Sequence, residues 1–181
     1  RHLLMIGTVG FNNAGNYFPS ILANYQNVDY KFFLEERTIV PKVVLDMGKR
    51  NQDELIQQLK NHFVEFVPVQ VVAEDSAPVA GRNATKLARE WITTKKYTDI
   101  VVDVTSMSRG ICFSVVKQVV EYCHANSIEP HILVAERDLS GVKIQPMSSD
   151  IACYMHGFQE DMETDLVDDA LVMWIPQLSE N

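Results

Sequence analysis

The stretch YTDIVVDVTSMSRGICFSVVKQVVEYCHAN, residues 97–126, carries the reading of the fold. Its opening, YTDIVVDV (97–104), is an apolar, β-branched run that reads as a buried strand. In the stretch 108–126, Ile111, Val115, Val119 and Cys123 recur one helical turn apart and read as the apolar stripe of a long helix. Between the two lie Thr105, Ser106, Met107, Ser108, Arg109 and Gly110. A strand that runs through a short polar turn into a helix is half of a parallel βαβ unit. The turn itself supports two readings. A helix starting near Ser108 aims free backbone N–H groups at the loop, and hydroxyls beside a guanidinium suit phosphate oxygens. Equally, Ser106 or Ser108 is a good N-cap, Gly110 permits close packing, and Arg109 is solvated or pairs with Asp103. The pattern alone does not choose between them.

Working outward, the same alternation repeats. HLLMIGT (2–8) reads as a short buried strand, followed by the turn-rich FNNAGNY and a helix from about Pro19 to Tyr25 with proline in its first turn. DYKFFLEE (29–36) is a second strand. Val40 to Met47 has helical character, ahead of the amphipathic QDELIQQLKNHF (52–63), whose Leu55, Leu59 and Phe63 share a spacing. VEFVPVQVV (64–72) is a third strand, and its proline points to an edge position or a bulge. RNATKLAREWITTKK (82–96) is helical and PHILVAE (130–136) a fifth strand. The expected fold is therefore α/β, a Rossmann-like three-layer sandwich with a mostly parallel central sheet over residues 1–138. Residues 139–181 change character. LSGVKIQP suggests a hairpin, ACYMHGF and ALVMWIPQ short strands, and QEDMETDLVDD a solvated acidic loop, together a small β-containing appendage.

A chain of 181 residues suits one domain. It starts at Arg1 and carries a strand signal close to its end, as a piece of a longer protein would. With 46% hydrophobic and 22% charged residues it has a globular composition, and no run of apolar residues is long enough to read as a membrane span. The net charge of -8 disfavours non-specific binding to duplex DNA and leaves room for one local anion site. Cys112, Cys123 and Cys153 lack CxxC spacing, which points to reduced thiols in a cytoplasmic protein. The histidines show no metal-ligand spacing, so neither a metal nor a cofactor is expected.

In an open parallel sheet, ligands lie beyond the carboxyl ends of the strands, near the point where strand order reverses. The loops after strands one, two and four are thus the candidates. After strand one, Thr8, Gly10, Asn12 and Asn13 either let backbone and amides approach a base or ribose, or form a plain turn. After strand two, Glu35, Glu36 and Arg37 either orient the loop arginine or a ribose, or pair at the surface. Arg82, with Asn83 and Lys86 in the start of the third helix, either closes over the same crevice or is solvated. GxGxxG, GxxxxGK[ST] and GxSxG are all missing, which disfavours a dinucleotide dehydrogenase, a P-loop NTPase and a serine hydrolase. His62, His124 and His156 read as structural, and Cys112 and Cys123 sit on an apolar stripe where a nucleophile is not expected.

Two of these elements together resemble CRISPR-associated Rossmann-fold (CARF) domains. Thr8 and Gly10 form a TVG turn after the first strand, and Asp103, Thr105, Ser106 and Arg109 close a later strand ahead of a long helix. The similarity spans roughly residues 1–137. The TSMSRG turn lacks the Gly-Gly of many such domains, and the Glu35–Arg37 element is not a family requirement. The resemblance implies a cyclic oligonucleotide or related nucleotide messenger, bound across a two-fold homodimer, with the signal passed to an attached or associated effector in prokaryotic antiviral defence. The backbone of residues 106–110 would then hold a phosphate and Arg109 would neutralise it. Thr105 would donate to it, and Asn12 and Asn13 would reach a base or ribose. Competing readings are a metal-independent ring nuclease acting on the same ligand, a phosphoribosyltransferase-like protein, and an interaction domain.

Overall fold

The computed structural model describes residues 1–37, 40–75, 77–135 and 155–158. Five strands alternate with helices: β1 (Leu3–Val9), β2 (Val28–Glu36), β3 (Phe63–Gln70), β4 (Asp99–Asp103) and β5 (Glu129–Leu133). The helices are α1 (Tyr17–Leu22), α2 (Lys42–Gln58), α3 (Ala80–Thr94) and α4 (Arg109–Asn126), with one 3₁₀ turn at Asn13–Asn16. All neighbouring strands are parallel, in the order β3-β2-β1-β4-β5. The chain builds outward from β1 to β3, then returns to the other side of β1 and continues to β5. The reversal between β1 and β4 is the topological switch point of a Rossmann-like sheet.

Side chains alternate across the strands and so feed two apolar layers. Leu4, Ile6, Phe33, Ile100 and Val102 pack with Ala84, Ala88 and Trp91 of α3 and with Ile111, Val115 and Val119 of α4. On the other face Met5, Tyr30, Phe32 and Val101 pack with Leu55 and Leu59, and with Phe18 and Leu22 of α1. The result is the expected three-layer sandwich, with a sheet that is wholly parallel among the described residues. Trp91 stacks on Phe33 with ring centroids 4.8 Å apart, joining α3 to the centre of the sheet.

Several boundaries moved. Pro68 does lie on an edge strand, β3, opposite Leu34, where its missing N–H costs no ladder bond. The expected pieces 40–47 and 52–63 are one continuous helix, α2, which starts at Lys42 and ends at Gln58. Leu55 and Leu59 are buried, but Phe63 is 54% exposed and opens β3, so it does not extend their stripe. α1 ends at Leu22, short of the expected Tyr25, and Asn27 turns the chain with a φ of 60° into β2. α4 ends where Ser127 adopts left-handed φ, 55°, and the Ile128 N–H donates to the Cys123 carbonyl. The expected hairpin 139–146, the strand 170–177, the acidic loop and Cys153 lie outside the described residues. Met155–Phe158 is described, and it docks on α4 through the Ser114 hydroxyl, which donates to the His156 carbonyl at 2.9 Å.

Candidate functional site

At the carboxyl end of the sheet, over the switch point, lies a cleft of about 890 Å³. Its floor and one wall come from the ends of β1 and β4: Thr8 to Asn12, and Thr105 to Ser108. Leu34, Glu35 and Arg37 enter from β2, and the first turns of α2 close the far side with Val44, Leu45, Gly48, Lys49 and Gln52. The size falls in the range of small-molecule sites, and the lining combines apolar side chains with a few polar and charged ones.

The turn after β4 is largely tied up by the protein itself. The Thr105 N–H donates to Asp103 Oδ1 at 3.0 Å, and the Met107 N–H donates to the Val104 carbonyl at 3.2 Å. The Thr105 hydroxyl oxygen accepts the Ala135 N–H at 2.9 Å, pinning the chain after β5. Ser108 stands at the N-cap of α4 with extended backbone, but its hydroxyl makes no capping bond. Instead its N–H donates to Glu35 Oε1 at 2.8 Å. A carboxylate from β2 therefore sits at the positive end of α4, as the helix dipole favours. Among the described residues no acceptor meets the N–H groups of Ser106, Arg109 or Gly110.

The glycines after β1 serve the protein rather than a ligand. A methyl at Gly15 would stand 2.4 Å from Ser106 Oγ, and one at Gly10 3.2 Å from Ser106 Cβ. They are small so that the β4 turn can press against the β1 turn. Asn12 caps the 3₁₀ turn, its Oδ1 accepting the Ala14 N–H at 3.0 Å, while still lining the cleft. Asn13 is exposed and outside the cleft lining. Sequence reasoning missed Asn51: its buried side-chain amide donates to the Gly10 carbonyl at 2.8 Å, and its backbone carbonyl accepts from Asn16 Nδ2 at 3.2 Å. It fixes the β1 turn to α2. A polar residue half-way along an otherwise amphipathic helix was the only available signal.

The cations differ from those expected. Arg109 is exposed, lies outside the cleft lining and makes no ion pair among the described residues, so it neither pairs with Asp103 nor faces Asn12. Gly110 is also outside the lining. A side chain there would meet nothing, and the close approach between α3 and α4 instead requires Gly81, where a methyl would stand 2.7 Å from the Gly110 carbonyl. Arg82 is exposed on α3 and does not close over the crevice. The positive charge in the cleft comes from Arg37, 2.9 Å from Glu35 Oε2, and from Lys49 on α2. Lys49 was not among the expected residues, because its place depends on how α2 crosses the sheet.

Asp103 is 3% exposed, and burial raises its carboxyl above the usual range, with Thr105 hydrogen bonds working against the rise. It lies beneath the cleft, beside Gly7. The thiols of Cys112 and Cys123 are pushed up by burial, Cys123 to about 11, which makes both poor nucleophiles. His62 Nε2 is 3.0 Å from the Ala23 carbonyl, a structural contact away from the cleft. Two cleft residues carry buried hydroxyls without a partner among the described residues: Thr8 Oγ1 and Ser106 Oγ.

No family model matches the chain, and no curated protein matches it. A matching solved structure is the reductase domain of an aureusimine biosynthetic cluster, at 10% identity and a TM-score of 0.36. The match covers 72% of this chain and 47% of that one, so the chain spans about half the length of that structure. Among the described residues no helix is long and apolar enough to cross a membrane.

Proposed function

We propose that the cleft binds a nucleotide second messenger of the cyclic oligonucleotide class, and that the domain reports its occupancy to an effector across a homodimer. The observation that carries this reading is the cleft's position at the switch point with a lining that mixes cations and apolar side chains. Arg37 and Lys49 offer charge to a phosphodiester, while Phe11, Val44 and Leu45 offer an apolar surface to a base. The buried, unpartnered hydroxyls of Thr8 and Ser106 supply hydrogen bonds that the protein leaves unused. The motif resemblance to CARF domains gives the messenger class. The phosphate contacts move from Arg109 to Arg37 and Lys49, and a ligand that binds one dimer arrangement better than another shifts the balance between them.

The test is calorimetric titration with cyclic and linear oligoadenylates of several lengths, followed by chromatography of the nucleotide. Binding of an intact ring supports the messenger reading, conversion to linear products makes the domain a ring nuclease, and absence of binding across the panel refutes both. The double variant Arg37→Ala/Lys49→Ala is expected to weaken binding by at least about tenfold, since each charged hydrogen bond contributes about 1.5–3 kcal/mol.

A further inference from the structure

We propose that Glu35 is an internal stand-in for the ligand's anion, and that this makes it the residue deciding which anions the cleft admits. The inference rests on the reading that the cleft takes a phosphate-bearing ligand. Glu35 lines the cleft, and its side chain, 11% exposed, has both oxygens engaged. Oε1 accepts the Ser108 N–H at the start of the long helix α4, and Oε2 accepts from Arg37 at 2.9 Å. These partners, a helix-terminal amide and a guanidinium, are the ones a phosphate oxygen would seek.

A second observation shows that the position is not merely a capped helix. Thr8, 4% exposed, lines the same cleft with its hydroxyl unpartnered among the described residues, and the Ser106 hydroxyl of the same lining is in the same state. Tyr30 and Thr85 also carry buried hydroxyls without a partner among the described residues, but Thr8 and Ser106 are the two that line the cleft, where a ligand's polar atoms can offset the cost of burial. The carboxylate keeps the amide and the guanidinium satisfied while the cleft is empty.

The consequence is selectivity. A small bare anion must displace a tethered carboxylate and gains little else in return. A nucleotide brings further contacts, a base against apolar lining residues such as Phe11, Val44 and Leu45 and a phosphate near Lys49, and these offset the displacement. Once displaced, Glu35 and Arg37 separate at the end of β2, so occupancy is converted into a change at a defined place.

The experiment titrates wild type, Glu35→Gln and Glu35→Ala with inorganic pyrophosphate and, separately, with cyclic tetraadenylate, following heat and the Ser108 amide resonance. Glutamine keeps the shape and one acceptor while removing the charge, and alanine removes both, so the two variants guard against a folding defect in either. Both are expected to bind pyrophosphate at least about tenfold more tightly than wild type, the scale of one like charge removed a few ångströms away. The Ser108 amide is expected to shift as pyrophosphate binds. Unchanged or weaker affinity in both variants, a Ser108 resonance that does not move, or no pyrophosphate binding by any of the three proteins overturns the proposal. If pyrophosphate behaves as expected and cyclic tetraadenylate binds none of them, the nucleotide reading falls while the role of Glu35 stands.

Discussion

Asp29 on β2 and Asp103 on β4 are buried aspartates at opposite ends of one sheet, at 6% and 3% exposure, and the protein treats them in opposite ways. Asp29, at the amino end, is met by Lys95 at 2.7 Å, the Tyr97 hydroxyl at 3.0 Å and His2 at 3.4 Å. Burial alone would raise its carboxyl, but these contacts together bring it below the usual range. Asp103, at the carboxyl end, has Thr105 and, among the described residues, no cation, and burial leaves its carboxyl raised. The amino end is a closed structural network that also includes Asp99, held down by the Thr98 hydroxyl and by Arg1 and His131. At the carboxyl end Asp103 is buried beneath the cleft without a counter-charge among the described residues, while in the cleft itself Glu35 and Arg37 neutralise each other.

The largest break in this contrast comes from Asp29→Ala. It strands the Tyr97 hydroxyl and releases Lys95, and is expected to cost about 2–3 kcal/mol in urea unfolding. The linkage has a definite sign. Because the folded carboxyl lies below its unfolded value, its contribution is present above the unfolded value and is lost as pH falls through the folded one. The wild type should therefore lose stability in acid more steeply than the Asp29→Ala variant does.

Gly15→Ala attacks the other end. The methyl would press on Ser106 Oγ and Cβ, force the β4 turn to shift, and cost about 1–2 kcal/mol by the same measurement. Ligand affinity is expected to fall with it, because Ser106 lines the cleft.

Asp103→Asn runs in the opposite direction to Asp29→Ala. It keeps an oxygen for the Thr105 N–H and removes a buried charge, so it is expected to stabilise the fold at neutral pH. Here the folded carboxyl lies above its unfolded value, so its burial penalty disappears as pH falls through the folded value. The gain should shrink on acidification, and a destabilised variant at neutral pH would mean that the charge of Asp103 is itself required. The smallest effect is expected from Arg109→Ala. Its side chain is exposed and unpaired among the described residues, so stability should change by less than about 0.5 kcal/mol. Affinity should change by less than about twofold, a surface change away from the contacts being nearly neutral.

Much of the fold was legible because it is local. The run 97–104, the stripe Ile111–Val115–Val119–Cys123 and the edge proline Pro68 each state their place through spacing alone. Phe63 misled because it falls at the right interval after Leu59 but beyond the helix end, where the chain has already turned into β3. In the site, the turns after β1, β2 and β4 were correctly singled out as lying together, since strand ends in a parallel sheet share one side. Within those turns the expected Thr8, Gly10, Asn12, Glu35, Arg37 and Thr105 to Ser108 line the cleft, whereas Asn13, Arg109 and Gly110 do not. Arg109 is one residue past Ser108, and that single step around the helix start takes its side chain out of the lining.

The sequence by itself determined that strands and helices alternate, that the central strands are covered on both faces, and that polar turns cap one end of the sheet. Those properties follow from side-chain periodicity and turn chemistry, which act between near neighbours. Only the tertiary structure decided that Glu35 would cap α4, that Asn51 would hold the β1 turn, and that Arg37 and Lys49 rather than Arg109 would face the cleft. These are meetings between residues far apart in the chain, and they depend on helix crossing and azimuth, which no local pattern records.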